Sequence, residues 1–275
     1  MPALDRRAGL EVLTWPVFDG LPIGAAVTTR TGGVSSGPYE SLNLGLHVGD
    51  HPEHVLGNRA RAATAVGLEL ADLVFCSQPH GRAVAVVDRS HRGRGSRSLE
   101  DAVAGVDALV TASPGVGLVV LVADCVPMVL YEPVAHVVAC VHAGWRGTVG
   151  RVAHAAVETM VALGARTDRI LAGIGPAVPA ARYQVGDEVA AAARASFGDD
   201  GDDGDEVIRP DGTGRWRFDL WAANRRVLLD AGVTAGNVSL SGIGTGQGTP
   251  FFSHRAAQPC GRFAAIATLL TGPSG

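Results

Sequence analysis

Apolar residues in this chain are gathered into short dense runs at 73–76, 83–87, 108–111, 117–122, 128–131 and 137–141. Runs of this length, punctuated by glycine, proline and serine, predict strands. Their near-continuous apolar character predicts sheets covered on both faces. Further strands are expected at 170–174 and 238–243, and a short terminal element at 262–270. Elsewhere the apolar spacing is helical. Residues 53–67, 148–163, 187–197 and 219–231 read as helices, with Gly67 and Gly164 suited to end the first two. No repeat and no linker interrupts the series. The pattern predicts an α/β-type (α+β) fold, a single compact domain over 1–275 in which layered mixed β-sheet is flanked by helices.

Composition narrows the function more than the fold. The chain has 275 residues, 47% of them hydrophobic and 18% charged, with a formal net charge of -4. The basic excess of a nucleic-acid binder is missing. One basic stretch, 89–97 (RSHRGRGSR), is rich in glycine and serine and reads as a mobile surface loop. The acidic stretch 199–206 (DDGDDGDE) lacks the register of a calcium loop and reads as a disordered surface loop. The most apolar region, 116–141, is broken by Asp124, Pro127, Glu132 and Pro133, so no membrane helix is expected. The first residues carry no apolar core of a secretory signal. Four cysteines are too few for a disulfide-stapled secreted domain, which points to reduced thiols and a cytoplasmic enzyme.

Three segments concentrate reactive side chains: Ser77-Gln78-Pro79-His80-Gly81, Ala123-Asp124-Cys125-Val126-Pro127 and His142-Ala143-Gly144-Trp145-Arg146-Gly147. Each follows an apolar run and contains a residue that stops a strand, and strand ends are where such folds collect functional groups. Cys76, Cys140 and Cys260 read as packing residues. His47, His51, His54, His91, His136 and His154 read as structural or exposed. Cys125 and His142 differ because two antiparallel neighbouring strands could bring them together. Spacing alone leaves a metal site open, since no C-x-x-C pair is present.

The motifs TRTGG (29–33), SLNLG (41–45), Asn58-Arg59, QPHG (78–81), ADCVP (123–127), HAGWRG (142–147), GIGPAV (173–178), YQVG (183–186) and FFSHR (251–255) occur in this order. With them the chain resembles the YfiH-like family, whose older names are the laccase-domain and multicopper polyphenol oxidase family. The resemblance runs from about residue 13 to 270. Members resemble purine nucleoside phosphorylases that also deaminate adenosine, on a fold like that of cytotoxic necrotising factor. It implies a catalytic zinc on His80, Cys125 and His142, with a fourth place open to water. Copper is the less favoured metal. It also implies a purine nucleoside, with adenosine, inosine, guanosine and methylthioadenosine as candidates, and phosphate. Arg30, Asn43, Arg59 and Arg146 stand in matching motifs as candidate phosphate or ribose ligands, each with a structural role equally open. Asp124 adjoins a ligand, but neighbouring side chains of a strand point to opposite faces. Two positions depart from the family: Gly244 stands where cysteine is frequent, and His254 where tyrosine is common. Three other readings are a copper-dependent polyphenol oxidase, a Cys–His amidohydrolase and an editor of peptidoglycan precursors. A polyphenol oxidase needs more paired histidines than this chain offers. No nucleic-acid or membrane partner is expected, and a monomer is the default.

Overall fold

The computed structural model describes residues 2–198 and 207–271. In chain order the elements are β1 (Ala3–Arg7), β2 (Leu10–Thr14), β3 (Ile23–Thr28), α1 (Pro52–Thr64), β4 (Leu73–Phe75), β5 (Val84–Val86), β6 (Ala108–Thr111), β7 (Gly117–Val122), β8 (Val126–Glu132) and β9 (Val137–Ala143). There follow α2 (Trp145–Val149), α3 (Val152–Ala162), β10 (Leu171–Ile174), β11 (Gln184–Gly186), α4 (Asp187–Phe197), β12 (Ile208–Pro210), β13 (Arg215–Phe218), α5 (Leu220–Asp230), β14 (Val238–Leu240) and β15 (Phe263–Leu269).

Two six-stranded mixed sheets form the centre, ordered β1-β2-β3-β15-β7-β4 and β14-β10-β8-β9-β6-β5, and β11-β13-β12 make a small third sheet. Alternation along the strands explains the layering. In β8, Val129 and Tyr131 face the other large sheet, where they meet Leu118, Val120 and Ala265. Met128 and Leu130 face the opposite way and join Val157 and Met160 of α3 and Val227 of α5. The outer face of the first sheet packs Ile266 and Val119 against Ala62 and Ala63 of α1. Layered mixed sheet flanked by helices is therefore the architecture, as the apolar runs predict.

Three readings need correction. The helix expected at 148–163 is two helices, because Arg151 takes a left-handed backbone at φ 62°. Its side chain leaves the helix line to meet Asp230 at the end of α5, 2.6 Å away. The basic stretch 89–97 is tied down, not free. Gly95 N donates to Asp101 Oδ1, Arg92 pairs with Asp72, and the Gly95 and Ser96 carbonyls face inward. Strands β1, β2 and β3 and the small sheet have no counterpart among the expected elements; β1 and β12 are largely exposed, whereas β2 and β3 are buried. The acidic stretch 199–206 lies outside the described residues. No helix is long and apolar enough to cross a membrane.

Candidate functional site

Register places the reactive side chains. β8 and β9 run antiparallel with Val126 opposite Ala143 and Pro127 opposite His142. Cys125, one residue before β8, therefore lies beside the end of β9. His80 arrives from the loop after β4. That loop is held by Gln78, whose side-chain amide mimics a strand partner: Nε2 donates to Leu121 O at 2.7 Å, and Oε1 accepts from Leu121 N at 2.9 Å. Gln78, His80 and Asp124 all have positive φ, at 51°, 64° and 89°. Such backbone is costly for residues with a side chain and recurs where the surrounding structure over-determines a functional position.

His80, Cys125 and His142 offer one ligand atom each, and these atoms lie within 4.8 Å of one another. The imidazoles of His80 and His142 meet edge to face, with centroids 4.8 Å apart. Space for this meeting exists because residue 144 is glycine. A Cβ there would lie 2.8 Å from His80 Cδ2 and 3.1 Å from Cys125 Sγ.

Asp107, just before β6, organises the group. Its fully buried carboxylate accepts His142 Nδ1–H at 2.8 Å and His80 N–H at 2.9 Å through Oδ1, and Gly81 N–H at 2.6 Å through Oδ2. A ring nitrogen bonded to a carboxylate leaves the other nitrogen as the free ligand atom and fixes the ring's orientation. Burial opposes ionisation of Cys125, but the adjacent His142 and His80 outweigh it and draw the thiol down to about 6. Burial likewise opposes charge on His142, and Cys125 and Asp107 raise it to about 9. The donor set of two imidazoles and a thiolate, with a carboxylate behind one imidazole, fits a metal ion.

This group lies in the wall of a cavity of about 810 Å³. Asp124 also faces the cavity. Its Oδ1 accepts the Thr245 hydroxyl at 2.5 Å and its Oδ2 accepts Arg255 N–H at 2.6 Å, so it pins two C-terminal loops. Tyr183, beneath the Arg255 guanidinium, lines the cavity too. His254 lines the cavity as well; Gly244 does not, and packs on Pro179.

The four other candidates lie away from this wall. Arg59 is fully buried: its Nε and Nη1 donate to the carbonyls of Leu44, Gly95 and Ser96, and its guanidinium covers the Phe75 ring at 4.0 Å. Burial lowers it to about 9, so it stays charged at neutral pH. Asn43 is also fully buried, accepting Gly45 N–H and Arg262 N–H and donating to Asp50. Arg30 donates to Glu40 O and covers Phe252. Arg146 extends over Trp145 toward solvent. None of the four lines the cavity; its arginines are Arg255 and Arg262. Asp107 and Arg262 were invisible to sequence reasoning, apart from the position of Asp107 as a lone carboxylate at the head of an apolar run. Cys76, Cys140 and Cys260 are buried, as packing residues are, although Cys76 also lines the cavity.

The family described as multi-copper polyphenol oxidoreductase laccase matches residues 24–270. A purine nucleoside phosphorylase of Deinococcus radiodurans is 40% identical over 94% of this chain and 92% of its own length. Adenosine deaminase RL5, from an unknown prokaryotic organism, is 44% identical over 78% of this chain and 81% of its own length. The crystal structure of YlmD from Geobacillus stearothermophilus superposes with a TM-score of 0.91 at 35% identity, covering 98% of this chain and 100% of that one.

Proposed function

The chain belongs to the family described as multi-copper polyphenol oxidoreductase laccase, and from that premise we propose that it is a zinc-dependent purine nucleoside phosphorylase with adenosine deaminase activity. The observation that carries this reading is the convergence of His80, Cys125 and His142 on the wall of a nucleoside-sized cavity. Relatives named for each of the two activities support it.

His80, Cys125 and His142 would hold the zinc, which when bound supplies Lewis acidity for activating water at neutral pH. The remaining roles belong to this chain's own groups. Asp107 keeps the His142 proton on Nδ1 and so presents Nε2 to the cavity. The lowered Cys125 thiol is anionic at pH 7 and available as a ligand. Asp124 holds the Arg255 segment against the cavity, which Tyr183 also lines. The polyphenol oxidase reading lacks comparable support. Blue-copper and cluster sites need several sets of histidines, whereas the described residues contain one group of three possible ligands, two of them histidines.

A second reading rests on the 2.8 Å bond from His142 to Asp107. With Cys125 beside His142, the three make a nucleophile, a base and an orienting carboxylate, the arrangement of a metal-free Cys–His amidohydrolase. Metal content separates the two. Tag-free protein should carry about one zinc per chain, lost in His80→Ala together with adenosine turnover. Products fix the reaction: adenine and ribose 1-phosphate with phosphate, inosine and ammonia without. Protein that binds no added zinc but acylates Cys125 would replace the first reading by the second.

A further inference from the structure

The SLNLG motif, whose Asn43 is by sequence a candidate ligand with a structural role equally open, grips another residue. Asn43 Oδ1 accepts Arg262 N–H at 2.9 Å, and Leu44 N–H donates to Arg262 O at 2.9 Å. The Arg262 side chain then crosses Gly45, where a Cβ would stand only 2.9 Å from Arg262 Cγ. Arg59, in the neighbouring motif, anchors the same turn through Leu44 O. Two motifs thus converge on one arginine that lines the cavity.

That arginine is incompletely partnered. Nη1 donates to the carbonyls of Cys260 and Gly261. Nε and Nη2 donate to no protein atom among the described residues. His47 faces it from the cavity rim; burial and then the Arg262 charge keep its imidazole toward the neutral form. The cavity lining holds two arginines, Arg255 and Arg262, and one carboxylate, Asp124. Both Asp124 oxygens already accept hydrogen bonds, from Thr245 and Arg255. The lining therefore has an excess of cationic donors, and Arg262 presents an idle fork of N–H groups. Planar forks of this kind suit tetrahedral oxyanions.

We propose that Arg262, seated by Asn43 and Gly45 and flanked by His47, is the phosphate-binding residue of the cavity. The inference rests on the phosphorolytic reading given above and deepens it. In that reaction a phosphate oxygen bonds to ribose C1′ while the C1′–N9 bond breaks. The proton of hydrogen phosphate passes to the departing purine. Arg262 contributes by holding the phosphate's other oxygens. Asn43 and Gly45 act through Arg262 and are positioning residues.

The test measures phosphate dependence on the metal-loaded full chain. In Arg262→Gln the phosphate KM should rise roughly 10- to 100-fold, the range for losing a charge-assisted hydrogen bond. The nucleoside KM should move much less, and zinc content should stay at the wild-type level. Arg262→Lys should recover part of the loss, since it restores charge without the fork. Gly45→Ala displaces the arginine without removing it and should raise the phosphate KM in the same direction. Arg146→Gln, away from the cavity, should leave it unchanged. An Arg262→Gln protein with wild-type phosphate KM overturns the proposal, as does an equal rise in Arg146→Gln. Calorimetric titration with inorganic phosphate and with adenosine 5′-monophosphate keeps the test independent of turnover. If the wild type cleaves no nucleoside but binds either ligand through Arg262, the phosphorolytic reading fails and the site stands. Preference between the two ligands identifies the source as free phosphate or a phosphate ester. A wild type that binds neither overturns the site itself.

Discussion

Asp107 and His142 meet twice: the carboxylate accepts the imidazole Nδ1–H at 2.8 Å, and the Asp107 carbonyl accepts His142 N–H at 2.8 Å. Side chain and backbone are thus locked together. Because the same carboxylate accepts the His80 and Gly81 amides, one residue sets the placement of both histidines.

Replacing that carboxylate should loosen the metal more than the fold. Asp107→Asn keeps the shape but brings an amide NH₂ against groups that are themselves donors. Zinc affinity should fall roughly 10- to 100-fold, the range for such supporting partners. Competition with a chromophoric chelator measures it. Unchanged affinity would mean that His142 needs no orienting partner.

Gly144→Ala tests the close approach. The new methyl would sit within contact-forbidden range of His80 Cδ2 and crowd Cys125 Sγ. Since His80 is exposed, it should yield first, so circular dichroism and melting should stay near wild type while bound zinc falls. Full zinc occupancy would show that the His80 loop moves without cost.

The thiol pair predicts a particular pH behaviour in metal-free protein. Cys125, lowered to about 6, contributes stability above its unfolded value near 9 and loses it as pH falls through 6. His142, raised to about 9, contributes below its unfolded value of 6.5 and loses it as pH rises through 9. Between 6.5 and 9 the two slopes are opposite and cancel: folded and unfolded chains hold one proton each, on His142 and on Cys125 respectively. Melting temperature should therefore be nearly flat across this window. Alkylation of Cys125 should already be near its plateau at pH 7, with its midpoint near 6. Cys76, raised to about 12 by burial, and Cys140, raised further, should stay unlabelled. Mass spectrometry of iodoacetamide-treated protein reads all three sites. A Cys125 midpoint near 9 would sink the ion-pair description.

Arg59→Ala should cost stability first, and phosphate recognition only through the turn that seats Arg262. It strands three inward carbonyls and removes a guanidinium stacked on Phe75. A loss of about 3 kcal/mol is expected from breaking a buried charged network. Urea denaturation checks it. A variant as stable as the wild type would overturn the structural role of Arg59.

The sequence by itself determined the strands that carry the site. β6 and β7 begin and end where the apolar runs do, because residues buried on both faces must be apolar throughout. The motifs also named His80, Cys125 and His142, which the fold brings together. Tertiary structure decided the rest. Asp107 stands 27 and 35 positions from the two histidines it holds, a separation without local periodicity. Arg262 is bound by Asn43, 219 positions earlier, through backbone groups that any residue would supply. Arg30, Asn43, Arg59 and Arg146 share motif membership, yet burial sends two of them inward and leaves Arg146 exposed. A motif records that a residue matters. Only the packing around it decides whether its hydrogen-bonding groups face a cavity, a neighbouring carbonyl or water.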